Sequence, residues 1–250
     1  MAIHLLAGTG SVALSADNAN IGRLTDNYFT NTNDGYQHTK THRVLTAYVR
    51  IPDGVGARIN SPLLRIPTQP RLSLIDTATD PPNLPPVNEF EGNGPILAAL
   101  DPFNVQASRG AVAAAVSQYG LWVTPDGYSP WKGQGCRTIR ATTSLTGSTT
   151  AWVQASLTLE QGLPVGKYLI VGAMGYGTGA LFGRFIFPDS TPRPGFLCQQ
   201  AVTEYSWNWF RNGRMGVWGT FDQQALPTIE FLHYGAGTNP TIEMDIVQIA

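Results

Sequence analysis

Apolar residues in this chain recur at every second position or in short continuous runs, and nearly every run stops at Gly or Pro. The densest are Lys167–Ala173 (KYLIVGA) and Gly179–Gly195 (GALFGRFIFPDSTPRPG), which carry almost no charge. Such strands bury at least one face, so they require cover from a second sheet or a second subunit. Val44–Ile51 (VLTAYVRI) alternates and ends at Pro52-Asp53-Gly54, a turn tripeptide. Further strands are predicted over Cys136–Leu145, Ala151–Leu159, Ala180–Phe187, Met215–Phe221, Thr228–Tyr234 and Thr241–Ile249, separated by Gly- and Pro-bearing turns. Leu63–Ile66 and Arg71–Ile75 are short apolar runs split by prolines.

Helical periodicity is nearly absent. Arg109–Tyr119 (RGAVAAAVSQY) is Ala-rich enough for a helix but runs into Gly120-Leu-Trp-Val-Thr, so a long strand and a helix-to-strand join are both open. Trp207–Trp218 (WNWFRNGRMGVW) places Asn212-Gly213 between apolar runs. It reads as a hairpin or, preferably, as a structured loop entering the strand at Met215. Ten of the 18 prolines lie between Pro52 and Pro102. Proline donates no ladder hydrogen bond, so Asp80–Asp101 is expected as a long ordered loop that lies on a partner surface.

Short strands at regular spacing imply an all-β sandwich or barrel. Seven strands in the C-terminal half approach the eight of a jelly roll. The expected organisation is two jelly-roll barrels, residues 1–130 carrying the Pro-rich loop 80–101 and residues 131–250, with one jelly roll bearing long loop excursions as the alternative. No sequence repeat is visible.

Composition sharpens the picture. Charged residues make up 13% of the 250, about half the usual share. A surface so poor in charge favours association, and cover by neighbouring subunits accounts for it. Of the 16 basic residues 13 are Arg, which suits fixed contacts better than Lys. Net charge is -1 and evenly spread, giving no general attraction to nucleic acid. No apolar run is long enough for a transmembrane helix, and no leader is recognisable at Met1-Ala-Ile-His-Leu-Leu. Cys136 and Cys198 form no CxxC and are expected as free thiols.

Candidate chemistry is sparse. Gly172–Gly183 (GAMGYGTGALFG) lacks the GxGxxG order and is followed by a strand where a dinucleotide site needs a helix. His38 and His42 lack a third ligand and are expected in a solvated segment. His233 is expected as a core or interface histidine. No GxSxG marks a nucleophile, and Glu89 and Glu91, the closest carboxylate pair, lie in the Pro-rich loop. No catalytic residue, cofactor or metal is expected. Aromatics and arginines are candidates for subunit contact instead: Phe90, Trp131, Trp207, Trp209, Arg211 and Arg214. Trp207 and Trp209 also invite a carbohydrate-stacking test, against the alternative that they fill a core.

The order Leu163-Pro-x-Gly-x-Tyr168, Arg184-Phe-Ile-Phe-Pro188, Arg193-Pro-Gly195, Phe210-Arg-Asn-Gly213, Gly216-Val-Trp-Gly219, Pro227-Thr-Ile-Glu-Phe-Leu232 and Thr241-Ile-Glu-Met-Asp-Ile-Val247 resembles major capsid proteins of small tailless icosahedral viruses of bacteria or archaea, of the double jelly-roll kind. The resemblance is best over 150–250 and weaker over 44–130, where Arg58–Pro67 and the Pro-Pro-Asn-Leu-Pro-Pro segment agree with it. It implies two barrels side by side, a homotrimer of pseudo-hexagonal outline, many copies in a shell and no catalytic residues. It further implies a place in the virion after synthesis in a host cytoplasm, minor capsid or vertex proteins as further partners, and weak or indirect genome contact. The competing readings are a β-sandwich carbohydrate- or receptor-binding spike or adhesin module, and a jelly-roll glycoside hydrolase or lyase.

Overall fold

A computed structural model describes residues 3–249 apart from 64–69, 75–87, 91, 112–115, 126, 128, 134, 145, 200–208 and 236–238. No described residue is helical, and the chain divides into two compact units. One comprises Leu6–Asp126. The other comprises Gly127–Ala250 together with Met1–Leu5. The sheets curl into half-barrels.

The strands of the N-terminal half are β1 (His4–Ser11), β2 (Ala19–Asn20), β3 (Thr30–Asn31), β4 (Tyr36–Gln37), β5 (His42–Arg50), β6 (Gly54–Asn60), β7 (Arg71–Leu72), β8 (Asn88–Glu89), β9 (Ile96–Leu97), β10 (Asn104–Arg109) and β11 (Val116–Thr124). They form one sheet in the order β1-β11-β5-β8, with β9 also on β5, a second in the order β2-β10-β6-β7, and the small pair β3-β4. Period-two alternation explains the core between the two sheets. Tyr119, Leu121 and Val123 of β11 and Val44, Val49 and Ile51 of the β5 region meet Ala57, Ile59, Val105 and Ala107 of β6 and β10. Leu45, Tyr48 and Trp122 are also fully buried, so the first sheet is covered on both faces. The second sheet is not: Arg58, Gln106 and Ser108 alternate with its core residues and reach solvent.

In the C-terminal half the strands are β12 (Arg137–Thr142), β13 (Val153–Ala155), β14 (Thr158–Leu159), β15 (Lys167–Tyr176), β16 (Ala180–Ile186), β17 (Gly195–Gln199), β18 (Gly219–Asp222), β19 (Thr228–His233) and β20 (Thr241–Gln248). The hydrogen-bonded order is β13-β19-β16-β17-β15-β20-β12-β14, with β18 on β15. Among the described residues β17 pairs with β15 over two positions only, in parallel, Gly175 opposite Cys198 and Tyr176 opposite Gln199. The unit therefore comprises two antiparallel layers, β13-β19-β16-β17 and β14-β12-β20-β15-β18. Phe182, Phe185, Phe196, Phe231, Tyr168 and Ile170 are all buried in this unit. The apolar runs 167–173 and 179–187 thus find their cover within their own unit.

Several expectations need adjustment. The predicted strand over 215–221 is confined to Gly219–Asp222, because Asn212, Gly213 and Gly216 hold positive φ (55°, 75° and 85°) and coil the chain before it. The strand over 151–159 breaks in two, since β13 pairs with β19 and β14 pairs with β12 in the other layer. Over 109–119 β10 ends at Arg109, Gly110 and Ala111 leave the strand, and β11 begins at Val116 in the other sheet, so the segment is no single long strand; residues 112–115 lie outside the described set. The later part of the Pro-rich loop lies on β5 as two short edge strands: Asn88 and Glu89 face Ala47 and Thr46, and Ile96 and Leu97 face Arg43 and His42. Residues 80–87 lie outside the described set. β1, β6, β10 and β17 were not anticipated.

Candidate contact surface

The segment 209–218 packs along β15 and is held there by a bulge. Pairing of β15 with β20 slips between Ile170 and Gly172, freeing backbone groups of β15 for a third partner. Gly213 N–H donates to Val171 O at 2.9 Å, Ala173 N–H to Phe210 O at 2.9 Å, and Trp218 N–H to Ile170 O at 2.8 Å. Trp131 joins through its backbone N–H, which donates to Gly213 O at 2.7 Å. Gly172 and Gly213 allow this close approach. A Cβ on Gly172 would lie 2.7 Å from Phe210 O, and one on Gly213 would lie 2.5 Å from Trp131 Cβ.

Beneath the segment lies an ion-pair network. Glu243 and Asp245 sit two apart on β20 and therefore share a face. Across the ladder they oppose Arg140 and Thr138. Arg140 Nε donates to Glu243 Oε1 and Thr138 Oγ1 to Asp245 Oδ1, each at 2.8 Å. Arg211 reaches both acids, with Nη1 donating to Glu243 Oε2 at 3.0 Å and Nε and Nη2 to the two oxygens of Asp245 at 2.8 Å. The carboxylates hold the Arg211 guanidinium firmly protonated despite burial, which alone would lower its pKa. A second network surrounds Glu230 of β19. Its Oε1 accepts from Arg184 Nε and from Arg193 Nη1, the latter at 2.7 Å, while the Arg184 guanidinium lies 4.1 Å from the Trp152 ring. Arg184 Nη1 also donates to Leu5 O at 2.9 Å, and Leu5 N–H to Arg193 O at 2.8 Å, which stitches the start of the chain to this unit.

These placements sort the six candidates. Trp209 is 1% exposed, under the Arg214 guanidinium at 3.8 Å, and Arg211 spends its donors on internal partners. Both serve their own unit. Phe90, Trp131 and Arg214 are half-buried and retain surface for a neighbour. Trp207 lies outside the described residues. Sequence alone singles out Arg211 but not its partners, although the i, i+2 acids of Thr241–Val247 signal a charged strand face.

His38 and His42 also differ from expectation. His42 is 1% exposed, its Nδ1 2.9 Å from Lys40 O and its Nε2 2.9 Å from the Tyr28 hydroxyl. The His38 ring stands 4.5 Å from those of both His42 and Tyr28. A solvated segment is therefore the wrong description: Tyr28 and Phe29 fold over the pair. Among the described residues no group of three or more His, Cys, Asp or Glu is arranged to hold a metal ion, and no helix is long and apolar enough to cross a membrane.

The class defined by these features is an all-β protein of two units with buried ionic braces. No family model, curated protein or solved structure matches the chain.

Proposed function

We propose that the chain is the major coat protein of a small icosahedral virus, a double jelly roll that self-assembles through trimers into a shell. The observation that carries this reading is the matched strand order of the two units. A jelly roll is a long hairpin wound on itself, so its eight strands in chain order distribute as 1-8-3-6 in one sheet and 2-7-4-5 in the other. Numbering β1, β2, β5, β6, β7, β8, β10 and β11 from first to eighth gives β1-β11-β5-β8 and β2-β10-β6-β7, the observed neighbours. Numbering β12, β13, β15, β16, β17, β18, β19 and β20 likewise gives β12-β20-β15-β18 and β13-β19-β16-β17, again the observed neighbours. The minor strands β3, β4, β9 and β14 fall outside both series. Two units with one winding order support a duplicated roll, despite the absence of a sequence repeat.

The low charge and the half-buried Phe90, Trp131 and Arg214 support a surface made for neighbours. Three copies with two rolls each give six rolls around a threefold axis, a tile of pseudo-hexagonal outline. Many weak contacts then add up to a stable shell. In this reading the protein is structural and non-enzymatic, resides in the virion and takes its own copies as its main partner. Minor capsid or vertex proteins are further partners, and its net charge of -1 leaves genome contact weak or indirect.

Light scattering of the purified chain, combined with negative-stain microscopy, tests the proposal. The expected result is a species of three chain masses, hexagonal outlines, and sheets or shells at higher concentration. A strictly monomeric particle at tens of micromolar would sink it.

A further inference from the structure

The solvent face of the β2-β10-β6-β7 sheet carries one polar side chain per strand in a single row. Asn20 lies opposite Gln106, Gln106 opposite Arg58, and Arg58 opposite Arg71. Gln106 uses both ends of its amide to fix the row, Oε1 accepting from Arg58 Nε at 3.0 Å and Nε2 donating to Asn20 Oδ1 at 3.0 Å. Arg58 and Arg71 are like charges on directly paired positions, an arrangement that weakens a sheet unless an anion joins them. Among the described residues neither has an ion-pair partner.

Beside the row runs a groove of about 370 Å³, within the range of small-ligand sites. Its floor is open at Gly56, where an added Cβ would meet nothing within 4 Å. The far wall is built as firmly as the arginine row. Ser108 Oγ donates to Asp17 Oδ1 at 2.7 Å and accepts from Asn18 N–H at 3.1 Å. Val55, 76% exposed, supplies an apolar edge.

We propose that this groove binds an acidic saccharide. A carboxylate or sulfate substituent sits between the guanidinium groups of Arg58 and Arg71, where forked donors match two oxygens. Ring hydroxyls reach Asp17 and Asn18, and a C–H face rests on Val55. A polyphosphate backbone fits worse, because Asp17 faces the groove and the chain as a whole is slightly acidic. The inference uses one unit only and holds whether or not the chain builds a shell.

Isothermal titration of the full chain tests it with four probes: trigalacturonate as the carboxylate source, a heparin hexasaccharide as the sulfate source, maltotriose as the neutral control, and sodium sulfate as the bare anion. At least one acidic saccharide is expected to bind and to weaken with salt, with maltotriose silent. Arg71→Ala, at an exposed position, should lower that affinity roughly tenfold, the loss of one charge-assisted contact. Asp17→Asn should weaken the saccharide while leaving or strengthening sulfate. The proposal is overturned if neither acidic saccharide saturates, if Arg71→Ala changes nothing, or if Asp17→Asn leaves saccharide affinity intact. Light scattering of both variants, expected to match the parent, separates this result from failure of the coat-protein reading.

Discussion

Arg211 and Asp245 meet fork to fork, with Nε to Oδ2 and Nη2 to Oδ1 both at 2.8 Å, and Asp245 is fully buried. The neighbouring Asn212 N–H donates to Asp245 Oδ2 at 2.7 Å, so one carboxylate fixes both a side chain and the backbone of the 209–218 segment. The segment has little regular structure of its own, and this pair sets its register on the sheet.

Removing the arginine leaves two buried acids short of a partner, the costly way to break such a network. Arg211→Ala is expected to lower unfolding stability by about 3–5 kcal/mol, read as a fall in the urea midpoint. Replacing the pair together with apolar residues, Arg211→Met with Asp245→Leu, should recover much of that loss. Equal losses in the single and double variants would mean that the pair does not act as a brace.

Gly172→Ala attacks the same segment from below. The new methyl meets Phe210 O and, at 2.9 Å, the Arg211 Cα, both backbone atoms that cannot rotate away. The segment must lift from β15, with an expected cost of about 1–3 kcal/mol typical of overpacking. Trp209 and Trp218, 1% and 4% exposed, would report the lift as a red shift in fluorescence. An unchanged spectrum with unchanged stability would place the segment on a softer bed than the distances indicate.

The two free thiols should react unequally. Burial pushes the Cys198 thiol far up, and it is 2% exposed inside β17. Cys136 is partly exposed, its pKa raised by burial and then by the Asp245 carboxylate. The thiolate is the reactive form. A colorimetric thiol reagent at pH 8 is therefore expected to titrate one group slowly in the native protein and two after denaturation. Two rapid equivalents without denaturant would contradict this placement of Cys198.

How much of this was legible beforehand follows from what side-chain alternation encodes. Lys167–Tyr176 and Ala180–Ile186 declared themselves because both faces are buried and polar residues are nearly absent. β6 did not: Gly54-Val-Gly-Ala-Arg-Ile-Asn reads as a turn followed by noise, because Gly56 contributes no side chain to the pattern. β10 is short and polar on alternate positions, so its partners β2 and β6 define it more than its own residues do. Arg58 and Arg71 are 13 residues apart in sequence and become neighbours only through strand pairing. The groove was accordingly invisible. The strand order was equally hidden, since the pairing of β1 with β11 and of β12 with β20 is a long-range property that no local periodicity records.

Stability should decline as the medium turns mildly acidic, and histidines account for the first part of that decline. Burial lowers the pKa of His233, which is fully buried, and of His38, whose ring packs edge-on to His42 and tilted against Tyr28. A base whose folded pKa lies below its unfolded value binds protons preferentially in the unfolded chain. The penalty is therefore absent well above the unfolded value of about 6.5. It grows as pH falls through that value and levels off below the folded pKa. Urea midpoints measured from pH 7.5 to pH 5 should fall, ahead of the range in which carboxylates titrate. The double variant His38→Gln, His233→Gln should start from its own midpoint at pH 7.5 and fall less over the same interval. A slope equal to the parent's would assign the acid sensitivity to other groups and show that these two rings accept protons in the folded chain as readily as in the unfolded one.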